Sequence, residues 1–454
     1  MHNEEAYIKT KTKEFMRIAF PAILESMVLV IIATIDTRMI SGLGKAAISA
    51  VSFTVQPKLI FLGIFFALGT TVSMLVAQAN GKKDEKEGNY CFHTILKITI
   101  LLSVILGTAL WFLAGPIMMI CNRQADTRQM SVSFFRIIMG GMIFQTVSIV
   151  LNAALRGVGK TKVTLLSNIA MGLTDILFNY LLIEGHWGFP RLEIAGDAIA
   201  TVIGTAVACA ISIIAIITSS GFLHFKGMLR ERIFAEKEKL RIIAGKAGNI
   251  IFENLFMRLG FLMSSIIVSL LSSDETAVYS VAMILLNYSF AFGDGIQSAT
   301  VALTGRSYGA KDVKSVKQYA RIGLLFGTGC AVVLGTIYLT TYRPYYGSFF
   351  NDEAALADGL KSSVFVAGIT FLQIIRIVET GVLRGMGEVR DPRRVATVCV
   401  TVVNPLCSYL FAFPCNFGVW GVWMASVVSQ GLWMILSSVF CLIHVKKLKG
   451  EQPC

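Results

Sequence analysis

Apolar residues run through this chain in long blocks separated by short polar stretches. A helix needs about 20 mostly apolar residues to cross the hydrocarbon core of a bilayer. Twelve blocks meet that length, at 15–40, 46–79, 92–120, 131–153, 163–184, 195–219, 240–271, 276–303, 319–341, 357–382, 395–414 and 418–445. Several exceed it, which predicts tilted spans or helices that project beyond the membrane. Pro21, Pro57 and Pro405 fall within or at the ends of blocks and predict helix breaks or kinks, with Pro21 a place for the first span to bend. Composition agrees: 55% of the 454 residues are hydrophobic, 15% are charged, and mean hydropathy is +0.68. Typical soluble chains carry roughly 45–50% apolar and about 25% charged residues. A soluble enzyme, a coiled coil and a disordered scaffold are therefore excluded, and the expected class is an all-α polytopic membrane protein.

The net charge of +13 is explained by where the 41 Lys and Arg residues lie. Twenty-eight fall on the N-terminus, on loops 80–91, 154–162, 220–241, 304–321 and 383–394, and on the C-terminus; the opposite set of loops holds six. By the positive-inside rule both termini face the cytoplasm, in the cell (inner) membrane. The start, MHNEEAYIKTKTKEF, has charges of both signs and no small-residue cleavage site before the first block, and is expected to be a retained tail. The basic loops lack interleaved aromatics, so no nucleic-acid partner is expected. The nine Cys show no metal-ligand or CxxC spacing, which argues against a metal site or a disulfide framework.

The chain repeats itself at an offset of 228. Glu25 aligns with Glu253, and Gly81, Lys83, Asp84 and Lys86 align with Gly309, Lys311, Asp312 and Lys314. Leu155-Arg156-Gly157-x-Gly159 meets Leu383-Arg384-Gly385-x-Gly387, and at an offset of 225 Gly196 and Thr201 meet Gly421 and Ser426. Each copy holds an even number of spans, so both enter the membrane in the same sense. The expected architecture is twelve transmembrane helices in two parallel, pseudo-symmetric six-helix lobes around a central cavity. The N-terminal lobe is 1–219, the cytoplasmic linker 220–239 and the C-terminal lobe 240–454; the basic stretch 221–239 reads as an amphipathic surface helix.

Three stretches carry a family resemblance: FPAILESMVLVIIATIDTRMISGLG (20–44), LNAALRGVGKTK (151–162) with its echo ETGVLRGMGEVRDP (379–392), and DILFNYLLIEGHWGFPRLEIAGDAIAT (175–201). Their order and spacing resemble the multidrug and toxic compound extrusion (MATE) family over essentially the whole chain. The resemblance implies an ion-coupled exporter, a V-shaped pair of six-helix bundles and a cavity that opens alternately to either side.

Acids inside a membrane are costly and mark candidate sites. Asp36 lies 11 residues after Glu25 on the first span, about three helical turns, so the two should face the same way. The resemblance places the coupling acid at Asp36. Asp175 and Asn179, spaced i, i+4, share a face of the fifth span, in the reverse of the order many family members show. Thr201 matches the family's hydroxyl on the sixth span. At an offset of 228 Asp36 meets Ser264 and Asp175 meets Val403, so the duplication did not copy the charges, and ion coupling is expected in the N-terminal lobe. Protonation of such a buried acid can then alternate with binding of a cationic substrate. Glu253 resembles the cation site of a Na⁺-coupled branch of the family. Glu25 and Asp294 are candidate cavity-lining acids, as is Glu379, which has Arg376 one turn earlier as an expected partner.

Apparent catalytic motifs fail on inspection. Gly159-Lys160-Thr161 lacks the first glycine of a phosphate-binding loop, and no HExxH is present. The chain is thus expected to be no enzyme and to need no cofactor or resident metal beyond a coupling H⁺ or Na⁺ at the ion-coupling residues. The expected function is a monomeric antiporter, embedded in the lipid bilayer, that exports organic cations or amphipathic drugs. The alternative is a flippase for lipid-linked saccharides or other amphipathic lipids, which would be expected to show a cationic cavity.

Overall fold

The computed structural model describes residues 2–122, 125–218, 221–228, 237–350 and 353–450. Its helices are α1 (His2–Ser41), α2 (Lys45–Lys82), α3 (Glu85–Cys121), α4 (Ala125–Gly140), α5 (Met142–Gly157), α6 (Thr161–Ile183), α7 (Ile194–Thr218) and α8 (Lys237–Ser269). They continue with α9 (Ser273–Gly309), α10 (Val313–Thr340), α11 (Tyr342–Gly347), α12 (Glu353–Gly385), α13 (Arg390–Ala396), α14 (Asn404–Ala412) and α15 (Gly418–Gly450). Eleven spans among the described residues are long and apolar enough to cross a membrane, and the bent pair α4 and α5 brings the number to as many as twelve. At 40 residues α1 is about 60 Å long, twice the hydrocarbon thickness, so its polar first turns extend past the membrane. Large side chains such as Leu101, Ile105, Ile217, Leu325 and Val333 stay exposed, as lipid-facing positions require.

The helices group into two units: Leu24–Gly248, here the N-unit, and Met1–Ile23 together with Asn249–Cys454, the C-unit. The start of α1 joins the C-unit through specific contacts. The Tyr7 hydroxyl lies 2.9 Å from Ser315 Oγ, Glu14 accepts from Arg306 and Tyr319, and Phe15 packs edge-on against Phe326. The core of the N-unit gathers Leu62, Phe65, Phe92, Ile95, Phe135 and Leu151. In the C-unit, Trp433 packs with Val395, Cys399 and Val400.

The repeat is visible in the backbone. Lys83 and Lys311 both adopt the left-handed conformation, at φ 58° and 57°. The next residue in each copy, Asp84 or Asp312, caps the following helix by accepting from the Glu87 or Ser315 backbone N–H. Burial pushes the Asp312 carboxyl up, but hydrogen bonds from the Ser315 hydroxyl and amide outweigh it and hold the acid below its ordinary range. A depressed acid stabilises the fold above its ordinary titration range and loses that contribution as pH falls. Asp312→Ala should cost about 1 kcal/mol, seen as a lower thermal midpoint at neutral pH, with the gap to wild type closing in acid.

Three expectations are corrected. The fourth span is broken by 49° between Gly140 and Met142. A Cβ on Gly141 would come within 2.4 Å of Val202 on α7, so a glycine there lets the two segments close up. Pro21 and Pro57 do not interrupt their helices: α1 and α2 run through them and each forgoes one backbone bond. Pro405 instead sits in the first turn of α14, just after a π-helical stretch at Thr397–Val403. Finally, residues 221–228 are an irregular strap rather than a surface helix, and 229–236 lie outside the described residues. Asn89 holds the strap by donating to the Phe222 carbonyl (2.8 Å) and accepting from His224 N–H (3.0 Å). Gly88 leaves room for the Phe222 ring, which a Cβ there would approach to 2.3 Å.

Candidate functional site

Four helices of the N-unit bring charged groups together. α6 presents Asp175 and Asn179, and α7 presents Asp197 and Thr201; each pair is spaced i, i+4 and shares a helix face. Gly204 allows α7 to close on α6, since a Cβ there would lie 3.2 Å from Asp175 Cβ and 2.9 Å from the Met171 carbonyl. From α1, half-buried Asp36 accepts a hydrogen bond from Asn179 Nδ2 at 3.3 Å and lies near Asp175. Asp175 also meets the Thr201 hydroxyl, and Asp197 meets Asn179. Asp175, Asn179 and Asp197 are 5%, 0% and 3% exposed, and one Oδ1 atom of each has no hydrogen-bond partner. Lys58 on α2 is half-buried and within electrostatic range of Asp197, Asp175 and Asp36, with no ion pair to any of them.

The four N-lobe residues named from sequence, Asp36, Asp175, Asn179 and Thr201, therefore converge. Lys58 and Asp197 were missed. A lone Lys deep in the 46–79 block was the signal for the first, and i, i+4 spacing to Thr201 the signal for the second. The C-unit has a related but uncharged contact, in which Asn404 Nδ2 donates to Ser264 Oγ at 3.3 Å. An offset of 225 relates Asn404 to Asn179, and in that register the counterpart of Asp175 is Val400 rather than Val403.

Glu25 and Glu253 are placed differently from Asp36. Glu25 is 3% exposed and pairs with Arg156 at 2.6 Å while accepting from Thr164 and Asn168. Glu253, 1% exposed, pairs with Arg384 at 2.9 Å. Both pairs join residues 131 apart, so the repeated glutamate meets the arginine of the repeated LRGxG motif. The expected cation site at Glu253 thus already holds a guanidinium. Glu379 and Arg376 do not pair: Glu379 accepts from Ser438, while Arg376 donates to Gln430 and lies 3.7 Å over the Trp433 ring. Although one turn apart, the two side chains leave α12 toward different turns of α15. Asp294 is half-buried on α9, which runs unbroken through the flanking Gly293 and Gly295.

Known proteins share this plan. A protein named "Probable multidrug resistance protein NorM" from Rhizobium meliloti is 25% identical over 409 residues, 87% of this chain and 86% of its own length. Its namesake from Listeria innocua is 26% identical over 450 residues, 97% and 95% of the two chains. A crystal structure of MATE in complex with MaL6 has the same fold, with a TM-score of 0.89 at 17% identity over 97% of both chains. The MatE family model matches twice, at residues 21–181 and 250–410, once in each copy of the repeat. The chain belongs to the MatE family, the multidrug and toxic compound extrusion transporters, and is a multi-pass membrane transporter rather than an enzyme.

Proposed function

We propose that this transporter exports organic cations or amphipathic drugs in exchange for H⁺ or Na⁺, and that the ion is coupled at Asp36, Asp175, Asn179 and Thr201. The observation that carries this reading is the convergence of three carboxyls, an amide and a hydroxyl in one unit, with three buried oxygens unpartnered. The names of the relatives, multidrug resistance proteins, support the substrate class. Each buried carboxylate is matched to a cation in its neutral alternatives: a proton on its oxygen, a metal ion between oxygens, or a positively charged substrate nearby. Occupancy by the ion discharges the cluster and weakens its hold on a cationic substrate; departure of the ion restores it. A membrane potential of 100 mV supplies about 2.3 kcal/mol per charge moved, enough to drive export against a gradient.

In this reading Glu253 is structural because Arg384 already balances it, no cofactor beyond the coupling ion takes part, and the protein works as a monomer. Both termini face the cytoplasm of the cell membrane, on the strength of the Lys/Arg distribution. The flippase alternative calls for a cationic cavity, which a predominantly acidic N-unit cluster does not favour. The test is efflux of a fluorescent organic cation from proteoliposomes under an imposed pH or Na⁺ gradient. Efflux well above that of protein-free vesicles is expected under one of the two gradients; none under either, for several cations, would overturn the proposal.

A further inference from the structure

We propose that the strap following α7 completes a binding site for a phospholipid whose zwitterionic headgroup carries a primary ammonium, as phosphatidylethanolamine does. The site lies within the N-unit and is separate from the acid cluster. Glu85 of α3, Ile216 and Ile217 of α7, and His224, Phe225 and Lys226 of the strap line a cavity of about 530 Å³. Small-molecule sites typically measure about 300–1,000 Å³.

Specific contacts fix the strap in place. Asn89 clasps it at two backbone atoms, and His93 Nε2 donates to the His224 carbonyl at 2.7 Å. The Phe225 ring packs on Phe92 with centroids 5.7 Å apart. So held, the His224 side chain brings its Nε2 to 3.2 Å from Glu85 Oε1. In a neutral imidazole the nitrogen that faces a carboxylate carries the proton, which leaves a lone pair on the other. That other nitrogen, Nδ1, is buried and has no hydrogen-bond partner among the described residues.

The duplication did not supply this arrangement. At an offset of 228, Glu85, Gly88, Asn89 and His93 meet Val313, Val316, Lys317 and Arg321. The same scaffold is built in the C-unit without the residues that hold the strap, so helix packing alone does not require them.

Chemistry then selects the ligand. The Glu85 carboxylate and the His224 lone pair are two acceptors, which suit a primary ammonium with its three N–H donors. Lys226, which is exposed, supplies the opposite charge for a phosphate. A headgroup with both signs satisfies both ends, whereas a plain anion is repelled by Glu85 and a plain cation by Lys226. The apolar side points to a lipid. α7 leaves its span at Thr218, which sets the cavity at the edge of the hydrocarbon layer, where headgroups lie. Ile214 and Ile217, one turn apart on α7, are 57% and 67% exposed and give an acyl chain a surface that leads to the cavity.

The test follows the thermal midpoint of the detergent-purified full-length protein as dioleoyl lipids that differ only in headgroup are added. Phosphatidylethanolamine should raise the wild-type midpoint at a half-maximal concentration roughly tenfold below that of phosphatidylcholine, whose quaternary ammonium donates no hydrogen bond. Glu85→Gln should erase that preference, and Lys226→Gln should weaken the response to both lipids. Both side chains are exposed, so neither change should disturb folding. Native mass spectrometry gives a second readout: wild type should retain a bound phosphatidylethanolamine that both variants lose. Equal wild-type responses to the two lipids would overturn the inference, as would a preference that survives Glu85→Gln or a lipid retained equally by wild type and both variants. Phosphoethanolamine without acyl chains should leave the midpoint unmoved; if it matches the lipid, the ligand is a soluble zwitterion and the lipid assignment fails.

Discussion

Asp175→Asn should yield a folded transporter that no longer couples export to an ion gradient. Asparagine has nearly the shape of aspartate, and Asp175 forms no ion pair that the change would break; its neighbours are Asp36, the Thr201 hydroxyl and one unsatisfied oxygen position. Removing a carboxyl from a membrane-spanning helix lowers the cost of holding charge there, so the thermal midpoint should stay level or rise. What is lost is the group whose charge the ion cancels. Coupling free energies between two ligands are typically about 1–3 kcal/mol, roughly 5–150-fold. Gradient-driven efflux should fall by a factor in that range, while binding of the organic cation to purified protein loses its dependence on the competing ion. Efflux that stays gradient-driven would place coupling elsewhere.

Arg384→Met should be the most destabilising single change in the C-unit. It strands Glu253, which is 1% exposed and has Arg384 as its partner at 2.9 Å. Breaking a buried ion pair by removing one member costs about 3–5 kcal/mol, because the other charge is left without compensation. Thermal stability in detergent and yield of folded protein should drop sharply. Glu253→Gln combined with Arg384→Met should recover a large part of the loss, since both charges are then gone. The equivalent Arg156→Met should cost less: its side chain is 24% exposed against 10% for Arg384, and Glu25 keeps hydrogen bonds from Thr164 and Asn168. A double variant as unstable as Arg384→Met alone would show that arginine packing, and not charge, is what matters.

Hydropathy made the spans legible, because twenty apolar residues in a row have few other uses. The repeat register made the two glutamates and their LRGxG arginines equivalent, though their mutual contact needed the fold. Side-chain direction was legible only in part. Glu25 and Asp36, about three turns apart on α1, do face the same way: both accept from α6, from Asn168 and Asn179, which are also 11 residues apart. Arg376 and Glu379 have ideal spacing for a pair and find separate partners on α15. Lys58 and Asp197 escaped notice because each looks like an isolated charge in its own block. Their meaning lies in a neighbourhood assembled from α1, α2, α6 and α7, and no spacing along one helix reports it.

The membership of Met1–Ile23 in the C-unit has a consequence for biogenesis. Chains leave the ribosome from the N-terminus, and domains generally form as units during synthesis. The N-unit can gather all its helices once residue 248 has been made. The C-unit cannot: Tyr7, Glu14 and Phe15 must wait for Arg306, Ser315, Tyr319 and Phe326 to be translated some 300 residues later. Until then the leading stretch of α1 is a finished helix without its neighbours, held in readiness for the last half of its own chain.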